Sequence, residues 1–322
     1  MSHTDCHSTL SRAIKEDLQS VQIGIADLKV DTSTIVDATS DIKSDTTAMR
    51  DDTTRRHKND LMRWICPVDY HVQQQDFIDR HQAGTGQWFL HDTKFQAWDL
   101  WKDKTLFCPG VPGAGKTIMA ALVINHLLRS QHLPSEPVTF IYCNYKRQSE
   151  QSAKHMLASI FRQIVDTQPV VPKLVQEFYT SHVTKRTTAS FDEIRKILEA
   201  VSRDLHRLTI VVDALDECET RARRGFLSAV QTLRGQCEIR LLATSRFLPA
   251  IESHSTFLGK PKLEVRASDE DLESYIRSRA GELHGRVVSK PDLLEDLVSS
   301  TVDAVGGMYV RFFLRRVAEK FH

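Results

Sequence analysis

The sequence predicts an α/β fold: a parallel sheet of five strands flanked by helices, with a helical stem before it and a small helical subdomain after it. Three observations carry this. Short apolar runs recur at TLFC (105–108), VTFIY (138–142), LTIVV (208–212), IRLLA (239–243) and KLEV (262–265), as buried parallel strands do. Longer helical runs separate them, such as IMAALVINHLL after Thr117. Between the first run and that helix lies Gly110-Val111-Pro112-Gly113-Ala114-Gly115-Lys116-Thr117, the pattern GxxxxGK[ST] in strand, loop, helix order.

The stem comes first in the chain. From Ile14, alternating strides of four and three reach Leu18, Val21, Ile25, Leu28, Thr32, Ile35, Thr39, Ile42, Thr46 and Met49. One seam stays apolar throughout, while the other decays to threonine after Ile25. With no proline and only Gly24 inside, residues 10–50 read as one long helix or two with a heptad stripe. Such a helix is marginal alone and wants a partner surface, its own protein or a sibling chain. Homo-oligomerisation, or assembly with related chains through residues 10–50, is the expectation. Residues 46–59 turn polar and read as a linker, so the stem and linker occupy 1–60 and an approach segment fills 61–104.

The loop at 110–117 has a chemical rationale. Glycines let the backbone curl until successive N–H groups point inward, at a helix N-terminus that favours anions. Gly110, Gly113, Ala114 and Gly115 form this phosphate cradle, Lys116 supplies a cation to the β- and γ-phosphates, and the Thr117 hydroxyl is a Mg²⁺ ligand. A glycine-rich turn of purely structural purpose leaves Lys116 and Thr117 without a reason.

The run at 208–212 ends in Asp213-Ala214-Leu215-Asp216-Glu217. A carboxylate at the C-terminal end of a parallel strand faces the crevice where ligands sit in open α/β sheets, so Asp213 is the second metal-holding candidate. Asp216 and Glu217 are candidates for a further metal contact and for orienting an attacking water. For either, the alternative is a solvated acidic turn capping the next helix. The run at 239–243 ends in Thr244-Ser245-Arg246. If its strand is inserted between the first and the Asp-bearing one, Arg246 emerges beside the γ-phosphate. Beyond the fifth run, Ser268 caps a helix beginning DED, and further helices start near Pro291 and after Gly307, giving a helical lid over 267–322 against a core of 105–266.

Together, GVPGAGKT, VVDALDEC, LLATSR and LEVRASDEDLESYIRSR resemble the NACHT-type branch of the STAND P-loop NTPases, in particular fungal multidomain proteins with a nephrocystin-like N-terminal NTPase module. The approach segment WICPVDY (64–70) and GTGQWFLHDTKFQAW (84–98) strengthens the resemblance. It implies an intracellular, cytoplasmic switch that binds ATP or GTP with Mg²⁺, hydrolyses slowly and changes assembly state. It also implies Asp213 as the metal-holding acid, Asp216 and Glu217 as the family's acidic pair, Arg246 as a sensor arginine, and Trp88 in the segment flanking the base. Read from the residues alone, Trp64, Trp88, Trp98 and Trp101 are core residues rather than base-stacking ones. Members of this group continue past such a module into a winged-helix domain and then repeats, and no repeat of 20–50 residues occurs in these 322.

Composition bounds the rest. Lys and Arg total 43 against 42 Asp and Glu, which excludes nucleic-acid or membrane binding through bulk charge. The balance conceals a segregation: residues 1–60 carry eight basic and eleven acidic side chains, and every aromatic and proline lies beyond them. Apolar residues at 41% exclude wholesale disorder. No run of 18–20 apolar residues occurs, and the N-terminal MSHTDCHSTLSRAIKEDL lacks a basic-then-apolar signal. The six cysteines have no CxxC or His-paired metal spacing and read as reduced. Two other functions compete with the switch: an ATPase remodelling a partner, disfavoured by the lack of a substrate-handling domain, and a non-hydrolysing scaffold, disfavoured by the intact loop residues.

Overall fold

The structure, a computed structural model, describes residues 18–22, 25–26, 29, 38–40, 42–43, 46, 49–50, 52–130, 133–280, 295 and 299. The chain divides into two compact units, Met1–Asp60 and Leu61–His322.

In the first unit every described residue is helical. Leu18, Val21, Ile25, Ile42 and Met49 of the apolar stripe are all exposed; Ile14, Leu28 and Ile35 lie outside the described residues. The threonines fit the helix by folding back: Thr46 Oγ1 donates to Ile42 O at 2.6 Å and Thr53 Oγ1 to Met49 O at 2.8 Å. This four-residue back-bonding satisfies a hydroxyl that otherwise competes with the helix.

The second unit opens with helical residues 61–65 (α1), followed by α2 (Tyr70–Asp79), α3 (Gln87–His91) and α4 (Thr93–Asp99). The Asp69 and Asp92 carboxylates cap α2 and α4 by accepting from His71 N and Lys94 N. Then come β1 (Thr105–Pro109), α5 (Lys116–Ser130), β2 (Val138–Tyr142), α6 (Ala153–Thr167), α7 (Lys173–Lys185), α8 (Phe191–Ser202), β3 (Arg207–Asp213), α9 (Thr220–Leu233), β4 (Glu238–Ser245), α10 (Pro249–Glu252) and α11 (Asp269–Ala280).

Four strands form one parallel sheet in the order β1-β4-β3-β2. β4 thus stands between β1 and β3, the place the inserted strand was expected to take. The register sets Pro109 beside Ser245 and Tyr142 beside Asp213, so the C-terminal strand ends share one edge. Every residue of β1 and β2 is buried, the condition that continuous apolar runs satisfy. α5 packs on β2, β3 and β4, with α2 against α5 and β2; α6 packs on β2, α8 and α9, and α4 on β1. This is the layering of a P-loop NTPase, helices flanking a parallel sheet.

β2 is an edge strand, yet its free polar groups are not left bare. Phe140 N donates to Gln163 Oε1 at 3.0 Å, and Gln163 Nε2 donates to Phe140 O at 2.9 Å. One buried glutamine of α6 thereby takes the place of a neighbouring strand.

The expected fifth strand is corrected. Residues 262–265 run parallel to β1, with Phe107 N bonded to Pro261 O, Leu263 N to Phe107 O and Val265 N to Pro109 O. Only one ladder bridge forms, Phe107 with Lys262. The next would need an N–H at position 109, and proline has none. The sheet among the described residues therefore has four strands. Of the expected C-terminal helices, α11 is described, and the Ser268 hydroxyl accepts from Asp271 N at 3.1 Å as its cap. Glu295 and Ser299 are helical, and the rest of 281–322 lies outside the described residues.

Candidate phosphate-binding site

The site starts where β1 ends. Gly110 N donates to Ser245 O at 3.0 Å, tying the loop to the end of β4. A Cβ on Gly110 would stand 2.5 Å from Val265 O, so only glycine permits this approach. Gly113 and Gly115 take φ of 82° and 84°, the left-handed region that turns the loop into α5. Lys116 Nζ folds back over the loop and donates to Gly110 O and Val111 O, both at 2.9 Å. Burial lowers the Lys116 pKa, and the charges of Asp216 and Asp213 work against that fall.

Across the strand ends, Thr117 Oγ1 donates to Asp213 Oδ2 at 2.7 Å. The other carboxylate oxygen accepts from Thr244 Oγ1 at 2.6 Å, and that same hydroxyl accepts from Ala214 N. Asp213 is almost wholly buried. Burial pushes its carboxyl above the usual range, while the two hydroxyls and Lys116 pull the other way. The position rewards a cation.

After Asp213 the chain turns through Ala214 at φ 51° into a single 3₁₀ turn, Leu215–Glu217. On this tight turn the two adjacent acids point in different directions. The Asp216 side chain is buried and accepts from Arg246 N at 2.9 Å and from Arg246 Nε at 2.5 Å. Glu217 accepts from Tyr145 N at 3.0 Å and faces the cavity. The Arg246 charge is close enough to Lys116 to depress its pKa.

The cavity itself encloses 530 Å³, within the span of small-molecule sites. One end is Gly113, Ala114, Gly115, Thr117 and Asp213. The far walls come from Phe77 of α2, Arg80 and Thr85 beyond it, Met119 and Leu122 of α5, and Leu272 and Tyr275 of α11. Asp271 of α11 holds the approach segment in place: its Oδ2 accepts from Gly86 N at 2.9 Å and from Trp88 Nε1 at 3.1 Å.

The fold thus brings Gly113, Ala114, Gly115, Thr117, Asp213 and Glu217 to one cavity. Gly110, Lys116, Asp216 and Arg246 stand behind or beside that wall, their polar groups bonded to loop carbonyls or to each other. None of the four tryptophans lines it. Trp64 packs edge-on to Phe178 and Tyr179, Trp98 is fully buried, and Trp101 lies under the Arg207 and Arg240 guanidiniums. Four participants were not singled out from the sequence: Thr244, Tyr145, Arg266 and Asp271. Thr244 alone had a signal, since it sits in the same TSR triplet as Arg246.

A family model described as nephrocystin 3, N-terminal, matches residues 84–246. No curated protein sequence matches the chain. Similar solved structures include a DNA replication initiation factor at 15% identity and TM-score 0.42, covering 76% of this chain and 62% of that one. Orc1 of Aeropyrum pernix in complex with DNA is similar at 18% identity and TM-score 0.45, over 75% and 63%. AMPPCP-bound DnaA from Aquifex aeolicus is similar at 16% identity and TM-score 0.39, over 69% and 58%. The chain spans less than two thirds of the length of each of these.

Proposed function

Since the chain belongs to the nephrocystin 3 N-terminal family, we propose that it binds a nucleoside triphosphate, ATP or GTP, with Mg²⁺ and acts as a NACHT-type switch. The switch hydrolyses slowly and couples nucleotide state to self-assembly. In this reading residues 61–104 approach the core, 105–266 form it and 267–322 make its lid, an organisation like that of fungal NLR-like proteins. The observation that carries the reading is the 2.7 Å bond from Thr117 Oγ1 to Asp213 Oδ2, beside a glycine cradle and a cavity of nucleotide size.

The residues present suit the metal. A hydroxyl and a buried carboxylate are hard oxygen donors, and Asp213 lacks a full countercharge. Among the described residues no cluster of three or more acid, His or Cys side chains could cage an ion. Mg²⁺ takes few protein ligands and the remainder from phosphate and water. Thr117 and Asp213 would hold it, and the ion would neutralise charge on the phosphates.

The protein groups divide the remaining work. Backbone N–H groups of 113–117 bind phosphate oxygens at the start of α5. Lys116, held over the loop by two carbonyls, places its positive charge beside the bound phosphates. Glu217, fixed by Tyr145 N, is the carboxylate in position to orient a water. Asp216 positions Arg246 instead. α11 and the approach segment, joined through Asp271, cover the distal half of the cavity. The exposed stripe of Leu18, Val21, Ile25, Ile42 and Met49 supports association through residues 10–50.

The test compares steady-state ATP and GTP hydrolysis, and solution mass by light scattering, for the full chain with ADP and with a non-hydrolysable ATP analogue. A switch gives turnover below about one per minute and a nucleotide-dependent mass that falls when residues 1–50 are removed. Turnover of many per minute without a partner identifies a remodelling enzyme, and a mass indifferent to nucleotide removes the switch.

A further inference from the structure

We infer that Arg266 is a phosphate-contacting residue of this site, supplied by the segment that joins the core to α11. The inference rests on the nucleotide reading above and adds to it a cation outside the loop motif. Three observations lead there.

The first is where Arg266 starts. Val265 N donates to Pro109 O at 2.7 Å, and Val265 O lies so near Gly110 that a Cβ there would meet it at 2.5 Å. The next residue therefore leaves the backbone directly beside the phosphate loop. The second is where it ends. Arg266 lines the same cavity as Gly113, Gly115, Thr117 and Asp213. The third is charge. The cavity's own carboxylates already accept protein hydrogen bonds: Asp213 from two threonines, Glu217 from Tyr145 N, Asp271 from Gly86 N and Trp88 Nε1. Lys116 Nζ is bonded to two loop carbonyls, and Arg246 to Asp216. Arg80, on the cavity's far wall, has its guanidinium over the Phe77 ring. Arg266 is exposed, and no acid is paired with it among the described residues. A polyphosphate of charge −3 or −4 entering this cavity meets a guanidinium whose five donors are uncommitted. Its planar fork suits two phosphate oxygens at once.

The consequence is mechanical as well as electrostatic. Arg266 lies five residues before Asp271, which holds Gly86 and Trp88. Phosphate bound by Arg266 thus pins the root of α11, and with it the cavity's distal wall.

The experiment titrates ATP, ADP and inorganic tripolyphosphate, each with Mg²⁺, into the full chain and its Arg266→Ala, Arg266→Lys and Lys116→Ala variants. Unfolding is followed for each ligand-free protein. The expected result is at least a tenfold loss of ATP and tripolyphosphate affinity in Arg266→Ala, an intermediate loss in Arg266→Lys, and unchanged ligand-free Tm in both. ATP and tripolyphosphate binding within twofold of wild type in Arg266→Ala overturns the assignment, even where Lys116→Ala abolishes binding and so upholds the nucleotide reading. Loss of ATP affinity with tripolyphosphate binding unchanged also overturns it, placing the arginine on base or ribose. A wild-type chain that binds none of the three ligands defeats the nucleotide reading itself, and this assignment with it.

Discussion

Gly110 offers the sharpest test of how the phosphate loop is built. Its φ is not left-handed, so alanine there meets no backbone strain, only a collision. The new methyl carbon would lie 2.5 Å from Val265 O, roughly an ångström inside ordinary contact. Neither side can yield freely. Gly110 N is bonded to Ser245 O, and Val265 N to Pro109 O. Overpacking between constrained segments costs about 1–3 kcal/mol. For a chain of this size that lowers Tm by roughly 2–5 °C. Gly115 is the control: at φ 84° with open space around its Cβ position, alanine there suffers conformational strain of about 1–2 kcal/mol without any collision. Urea and thermal unfolding of both variants should show Gly110→Ala destabilised. It should also increase proteolysis between residues 258 and 268, where Gly115→Ala leaves cleavage unchanged. A Gly110→Ala protein as stable as wild type within about 0.3 kcal/mol would refute the close approach of the 262–266 segment.

Other consequences follow from the same geometry. Burial raises the Asp213 carboxyl, so the native chain holds that proton more firmly than the unfolded one. Its favourable share of stability is complete below the unfolded pKa and disappears as pH rises through the folded one. At pH 7.5 Asp213→Asn should therefore leave the ligand-free Tm equal to or above wild type, while Mg²⁺-dependent nucleotide affinity falls at least tenfold; a clearly lower Tm contradicts this. Asp271→Ala frees Gly86 N and Trp88 Nε1 and should speed nucleotide release severalfold, with Trp88 fluorescence altered; an unchanged release rate argues that the α11 contact does not cover the ligand. Glu217→Gln should cut hydrolysis by two orders of magnitude or more with ATP binding retained, whereas Asp216→Asn should also loosen Arg246 and lower Tm. Equal effects of the two substitutions would remove the division of roles.

What could be read from sequence was local. The strand, the GVPGAGKT loop and the start of α5 are contiguous, and their residue types state their chemistry directly. The four strand runs were legible because burial on both faces leaves them mostly apolar, with Thr139, Thr209 and Arg240 among the few buried polar exceptions. The fifth run misled because apolar character says nothing about ladder hydrogen bonds; Pro109, at the end of β1, withdraws the N–H that would extend the pairing. The acidic pair was visible but not its division. That depends on which distant partners the two acids meet, Arg246 for Asp216 and Tyr145 N for Glu217. Asp271 and Gly86 are 185 residues apart, and Arg266 reaches the loop only because Val265 lies on Gly110. Pairings at such range leave no periodic trace in the chain. Gln163 shows the same limit: a polar residue in α6 reads as a defect in the helix's apolar face until β2 is seen to need it.

Calorimetric titration of ATP into the full chain, with Mg²⁺ and with EDTA, addresses the central claim most directly when wild type and Lys116→Ala are run side by side. Saturable binding that needs Mg²⁺ and is lost in Lys116→Ala is the predicted result. Equal binding by both proteins, or none by wild type with either ATP or GTP, would contradict it.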